Sequence, residues 1–563
     1  MTAAAVVAVT ASAGSALAQS DAGAGANADM AQQIKALQQR VEMLEQELQA
    51  TKGPKARMRR KAAAPAPMAA APAAAPAATE AGASSTNAEL DARMRVLEAE
   101  LQAYESRSQD DHARLTTIEQ NAADTSWTFD NARPTVKSGD GRFTMAIRVR
   151  FQFDDANFMQ DSPADLAKSA PMAVKDLSSG TVVRRAFFGV EGKAFSDFWY
   201  EFRLNGGGSN GGGSGNGEGD PLVSLARVAY TGIDHFMLNV GVIEPALMFE
   251  GTTSSGQLLF LERPEIDNIA ADSFGAGDAR RGVEVRFQKE SAILPGDNLV
   301  LNAALTGAKT GSTTGHGAGG DEQTQLIGRV SYRFWNDGAS NASIGASAAD
   351  ILSPGGGVST ITLQDRPEIR VDGTRLISTG GIAAKHAYMY AFDGGFNIDN
   401  FFLGGEWAKF DVRRSEAGVL AADNPSFTGW YLEGSWVLTG EPKSYTVSAT
   451  NNEVGGFGAP KVAAPFSWNG DSWGAWELAL RYSDTDLDWR DVFAGSATQQ
   501  AGINGGDERV FAIGLNWYLN NNVKLQLNDL ITSVDRYTSP IHVKANRASQ
   551  DFNTIGVRMQ FSN

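Results

Sequence analysis

"RFTMAIRVRFQF", residues 142–153, alternates without a break. Phe143, Met145, Ile147, Val149, Phe151 and Phe153 take one set of positions, and Arg142, Thr144, Ala146, Arg148, Arg150 and Gln152 take the other. Successive side chains of a β-strand point to opposite faces, so the segment has one wholly apolar, aromatic-rich face and one polar face bearing three arginines. In a soluble sandwich the apolar face is core and the arginines meet bulk water. In an outer-membrane barrel the apolar face meets lipid and the arginines line a lumen.

The period recurs through the 437 residues from Trp127 onward. In "DFWYEFRL" (197–204) Phe198, Tyr200, Phe202 and Leu204 oppose Glu201 and Arg203. In "QLIGRVSYRF" (325–334) Leu326, Val330, Tyr332 and Phe334 oppose Arg329, Ser331 and Arg333. "GAWELALRYS" (474–483) and "NTIGVRMQF" (553–561) repeat the arrangement. Aromatics sit at strand ends as well as centres, and the opposing face carries charges of both signs. Aromatic girdles and a charged lumen account for both features, and closure removes the edges that an open sheet of this length would expose. The reading is an all-β transmembrane barrel over 127–563. At about 27 residues per strand and connection it has roughly 16 antiparallel strands, an even number as such barrels require. Glycine-rich "GGGSNGGGSGNGEGD" (206–220) and "TGAKTGSTTGHGAGGDEQ" (306–323) lack the Lys-Ser or Lys-Thr of a phosphate loop and read as outer loops.

The amino end is different. "MTAAAVVAVTASAGSALAQ" ends in Ala16-Leu17-Ala18, a small-x-small cleavage pattern, so residues 1–18 read as a signal peptide despite the missing basic start. Met30, Ile34, Leu37, Val41, Leu44 and Leu48 follow heptad spacing, as do Leu90, Met94, Leu97, Leu101 and Tyr104. These predict coiled coils over 19–50 and 89–122, separated by an Ala/Pro-rich linker over 51–88 that contains the basic run "KGPKARMRRK". Coiled strands need partners, so an oligomer is implied.

The chain has no cysteine, which excludes disulfides and thiolate chemistry. Its five histidines, His112, His235, His316, His386 and His542, show no metal or triad spacing. Asp484, Asp486 and Asp488 lack the glycine and terminal glutamate of a calcium loop. No enzyme activity, cofactor, metal or nucleic-acid partner is expected.

"VVRRAFFGVEGKAF" (182–195), "NVGVIEPALMFEGTTSSGQLLFLERP" (239–264), "LTGEPKSYT" (438–446) and "GLNWYLNNNVKLQLN" (514–528) resemble the phosphate-selective porins O and P. The resemblance implies a homotrimer of 16-stranded outer-membrane barrels with inward-folded loops and an arginine-lined path for phosphate or polyphosphate. Arg184 and Arg185 match the family's paired arginine near the constriction. Strict alternation places Arg185 with Glu191 and Lys193, and Arg184 with Val182, Ala186 and Phe188. Glu244 to Arg263 is similar to the loop that folds into the lumen, making Glu244, Glu250 and Arg263 constriction candidates. The family's lysine cluster is not found there. Arg148, Arg150, Arg203, Arg329 and Arg333 join the paired arginines as anion-path candidates.

Charge raises an alternative. Residues 127–563 hold 37 Lys and Arg against 50 Asp and Glu, a net of −13. A negative mouth repels anions, which points to a general or cation-preferring pore that also tethers outer membrane to cell wall through a periplasmic coiled coil. The same acidic residues could instead bind the divalent ions that bridge lipopolysaccharide.

Overall fold

The computed structural model describes residues 81–123, 125–129, 132–160, 175–208, 223–310, 321–355, 360–415, 424–489, 502–537 and 547–563. The expected leader 1–18, the coiled coil 19–50 and the linker as far as residue 80 lie outside the described residues. So do 209–220 and 311–320 of the glycine-rich loops. The chain divides into two compact units, Met1–Asp124 and Thr125–Asn563.

Among the described residues of the first unit there is one helix, α1, Ala81–Ala123, of 43 residues. It begins eight residues earlier than the heptads alone suggest. Leu90, Met94, Leu97, Leu101 and Tyr104 are partly shielded, whereas most positions between them are exposed.

In the second unit, sixteen long strands are found among the described residues: β1 Thr144–Met159, β2 Gly180–Ala194, β3 Phe198–Asn205, β4 Val223–Ile233, β5 Phe236–Ile243, β6 Arg280–Glu290, β7 Asn298–Lys309, β8 Thr324–Asn336, β9 Asn341–Ser353, β10 Ile382–Ile398, β11 Phe401–Arg414, β12 Ser426–Val437, β13 Ala475–Trp489, β14 Ile503–Tyr518, β15 Val523–Tyr537 and β16 Arg547–Ser562. Each pairs antiparallel with the next, and β16 returns to β1 with Phe561 opposite Phe151, so the sheet closes. Along β1, Met145, Phe151 and Phe153 are exposed on the outside, while Arg148, Arg150 and Gln152 turn inward. This is the alternation of the opening stretch, with lipid on the apolar side.

One strand departs from it. Gln152 faces Arg185 but Phe153 faces Val183, so Arg184 is an extra residue in β2. This β-bulge resets the alternation, and both Arg184 and Arg185 are buried inside. Strict alternation therefore misplaces Arg184.

The seam is fastened at its base. Asn563 Oδ1 accepts from the Val149 N–H at 2.8 Å, and its Nδ2 donates to the Ala132 and Ile147 carbonyls at 3.0 and 3.2 Å. The residues after Phe561 thus belong to the closure. Short strands Ser126–Thr128 and Thr135–Lys137 extend the sheet beside the start of β1.

Turns at one end of the barrel are short, such as 399–400 and 519–522, and connections at the other end are long. The exception is 438–474, on the short-turn side, which carries a hairpin of Lys443–Val447 paired with Val454–Pro460. The main apolar cluster lies inside the barrel. Phe249, Phe260, Ile266, Ile269 and Phe274 from 244–279 pack with wall residues such as Ala391, Ala408, Ala479 and Ala512, whose small side chains leave room for them.

Candidate functional site: the pore constriction

Segment 244–279 joins β5 to β6 and folds into the lumen. It forms a helical turn at Glu250–Thr252 and a helix, α2, Glu265–Phe274, entered by Pro264 and closed by left-handed Gly275. Loop backbone inside a barrel needs partners, and wall side chains supply them. Met248 N–H donates to Ser347 Oγ at 3.1 Å and Leu261 N–H to Asn528 Oδ1 at 2.8 Å. The Ser255 and Gly256 carbonyls accept from Gln152 and Gln560 at 2.9 and 2.8 Å, and Leu258 from Lys524 Nζ at 3.0 Å.

Two further segments join it. From 354–381, Glu368 meets Arg481 and accepts from Ser483 Oγ at 3.0 Å, while Arg370 donates to Asn268 Oδ1 at 2.8 Å. From the opposite end the 443–460 hairpin enters, with Lys443 2.8 Å from Glu477. Phe457 lies 6.2 Å from Phe249 and 5.1 Å from Phe402, ring to ring. Gly395 on β10 permits this approach: a Cβ there would stand 2.8 Å from Phe457 and 3.0 Å from Phe249.

Among the described residues the interior holds a cavity of about 150 Å³, with β1–β7 forming most of its wall. Nine cationic and eight acidic side chains line it. Most of the arginines are neutralised. Arg148 lies 3.0 Å from Glu191, Arg184 2.7 Å from Glu262, Arg227 2.5 Å from Glu201, and Arg203 pairs with Glu244. Arg150 differs: its guanidinium donates to Ser255 Oγ at 2.6 Å and Ser254 Oγ at 2.9 Å, and among the described residues no carboxylate lies within ion-pair distance. Arg263 donates to the Glu250 and Thr253 carbonyls, both at 2.7 Å, which shapes the loop that presents those serines.

Of the sequence candidates, Arg148, Arg150, Arg184, Arg185, Arg203, Glu244 and Arg263 line this cavity. Arg329 and Arg333 lie on β8 against the hairpin instead. Arg329 pairs with Asp393 at 2.7 Å and donates to the Val454 carbonyl, and Arg333 stands 4.9 Å over the Tyr445 ring. Glu250 is buried in the loop, outside the cavity lining. Ser254, Ser255, Arg227, Arg370 and Glu453 line the cavity without having been singled out by sequence. Arg227 had a usable signal, since it occupies an inward position of a strand; the serines had none, because a loop's path sets where they point.

Burial pushes the Glu262 carboxyl up, but Arg184, Arg185, Arg558 and Arg370 more than offset this and hold it well below the usual carboxylate range. It is the ionic centre of the constriction. Asp267 in α2 behaves oppositely: burial, with Glu250 adding to it, raises its pKa, although Gly251 N–H donates to it at 2.9 Å. A carboxyl with a raised folded pKa favours its protonated form, so its ionisation costs stability as pH climbs above the ordinary carboxylate value toward the folded one. Asp267→Asn keeps the acceptor and removes the ionisation. The variant should melt higher than the wild type at neutral and alkaline pH, with a flatter pH dependence, by circular dichroism in detergent. A lower melting temperature at every pH would reject the assignment.

A closed sixteen-stranded barrel with an apolar exterior and a charged, loop-narrowed interior defines an outer-membrane pore protein of the porin class. A sequence model of the phosphate-selective porin O and P family matches residues 155–562, and the chain belongs to that family. Porin O of Pseudomonas aeruginosa is 22% identical over 457 residues, covering 77% of this chain and 93% of the relative. Among solved structures, the outer membrane channel DcaP of Acinetobacter baumannii aligns with a TM-score of 0.40 at 12% identity, over 76% of this chain and 99% of that one. An anion-selective porin from Comamonas acidovorans aligns at 0.42 and 14%, over 74% and 100%.

Proposed function

We propose that the barrel is a diffusion channel for small oxyanions, phosphate in particular, with Arg150, Ser254 and Ser255 as the point of contact. The observation that carries this is the contrast along the wall. Arg148, Arg184, Arg203 and Arg227 face carboxylates, whereas Arg150 faces two hydroxyls inside the same cavity. A guanidinium stays charged at any working pH and presents a planar donor fork that suits phosphate or carboxylate oxygens. Hydroxyls can turn to donate once an anion arrives. Arg150→Gln should therefore abolish phosphate block of the chloride current and reduce anion preference in planar bilayers while the barrel still assembles. Unchanged block and selectivity would remove this residue from the path.

The eight acidic residues lining the cavity support a second reading, a general or cation-preferring pore. The sign of the reversal potential in a KCl gradient separates the two. We further infer a homotrimer, supported by the heptads along α1. At 1.5 Å per residue that helix reaches about 65 Å, long enough to act as a periplasmic tether to the cell wall. Outer-membrane lipid and lipopolysaccharide would surround the apolar exterior.

A further inference from the structure

The hairpin between β12 and β13 turns over at 448–453, and the barrel wall fixes that turn from two sides. Arg286 on β6, 2.8 Å from Glu284, donates to the carbonyls of Ser448 at 3.0 Å and of Asn451. Arg329 on β8 donates to the Val454 carbonyl at 3.3 Å. Within the turn, Ser448 N–H donates to the Glu453 carbonyl at 2.9 Å and Glu453 N–H to Asn451 Oδ1 at 3.0 Å. Gly455 follows at φ 80°, where a Cβ would fall on the Ser331 hydroxyl, 1.8 Å from its oxygen. The tip is thus held in place, and it brings Asn451, Asn452 and Glu453 into the lining of the constriction beside Arg148 and Arg150.

We propose that Glu453 is a specificity-determining residue of the passage, a counter-charge that weakens anion capture at Arg150, Ser254 and Ser255 and so speeds release toward the hairpin's end of the barrel. This rests on the oxyanion reading above. Conduction requires binding that is favourable enough for entry and weak enough for exit. Glu453 acts on both Arg148 and Arg150, and Glu244 acts on Arg150 as well. Arg148 already has Glu191 as partner at 3.0 Å, so Arg150 is the cation on the wall whose hold on an anion Glu453 can weaken.

The charged groups acting on Glu453 are Arg148, Arg150 and Glu191 on the wall and Arg133 before β1. Burial raises its pKa, and Arg148 and Arg150 only partly offset the rise. The carboxylate is therefore neutralised on acidification earlier than an exposed glutamate, and anion preference should grow as pH falls.

The test is Glu453→Gln in planar bilayers under a KCl gradient, with inorganic phosphate as blocker. At neutral pH the variant should show a chloride-over-potassium permeability ratio raised by about fivefold, with phosphate block at correspondingly lower concentration. As pH falls through the acidic range, the wild type should approach the variant, whose own pH dependence is shallower. Glu453→Asp, which keeps the charge, should behave as wild type. An anion-preferring, phosphate-blocked wild type with an indistinguishable Glu453→Gln variant refutes this inference alone. A wild type with neither preference nor block refutes the oxyanion reading and this inference with it.

Discussion

Glu262→Ala is expected to loosen the constriction loop and to destabilise the folded barrel by about 3–5 kcal/mol, the usual cost of stranding a buried charge. The glutamate receives Arg184 in a two-pronged contact at 2.7 and 3.2 Å and Arg558 at 2.8 Å, with Arg185 and Arg370 each 3.8 Å away. Arg558 keeps Asp154, at 2.6 Å, but Arg184 and Arg185 lose the Glu262 carboxylate. Three segments meet at this residue, since it links β2 and β16 of the wall with 354–381. The variant should melt lower in detergent and show noisier, larger unitary currents. Glu262→Gln, which keeps the shape, should fall between it and the wild type. Melting and currents that match the wild type would mean that the arginines are held by other groups.

Excising the hairpin should have the larger effect on current. Replacing 443–460 with a short glycine-serine turn removes Phe457 from Phe249 and Phe402, and Lys443 from Glu477. A sixteen-stranded barrel encloses an aqueous channel wherever inner segments do not fill it, so vacating the hairpin's share of the lumen should raise unitary conductance even with 244–279 and 354–381 still inside. Glu477 would keep Ser435 at 2.7 Å and Tyr518 at 2.6 Å as partners, which is why the wall should survive the excision. Conductance equal to the wild type would show that the hairpin does not narrow the path.

The barrel was legible because a strand's period of two writes its inner and outer faces directly into the chain. That Phe151 and Phe153 share one face and Arg148 and Arg150 the other follows from that period, and the aromatic and charged residues on the two faces tell outside from inside. What it does not encode is position around the circumference. Arg329 and Arg333 satisfy the same pattern as Arg148 and Arg150, yet they meet the hairpin, because the loops fill the lumen unevenly. The bulge at Arg184 was hidden for a different reason: one extra residue shifts the register and leaves no compositional mark. "KSYTV" is too short and "VGGFGAP" too glycine-rich to read as a strand, and their inward course depends on Glu477, Phe249 and Phe402, all supplied by distant segments. Arg558 and Asp154 are likewise 404 residues apart and meet only because the sheet closes.

The most direct measurement is the reversal potential of the purified channel in a KCl gradient, followed by titration of inorganic phosphate into the chloride current. A cavity in which Arg150 faces hydroxyls while Arg148, Arg184, Arg203 and Arg227 of the wall face carboxylates predicts a potential of the sign for chloride preference and a saturable block by phosphate, both lost in Arg150→Gln. A potential of the opposite sign, or a chloride current indifferent to phosphate, would contradict it and leave the acidic lining in control of the pore.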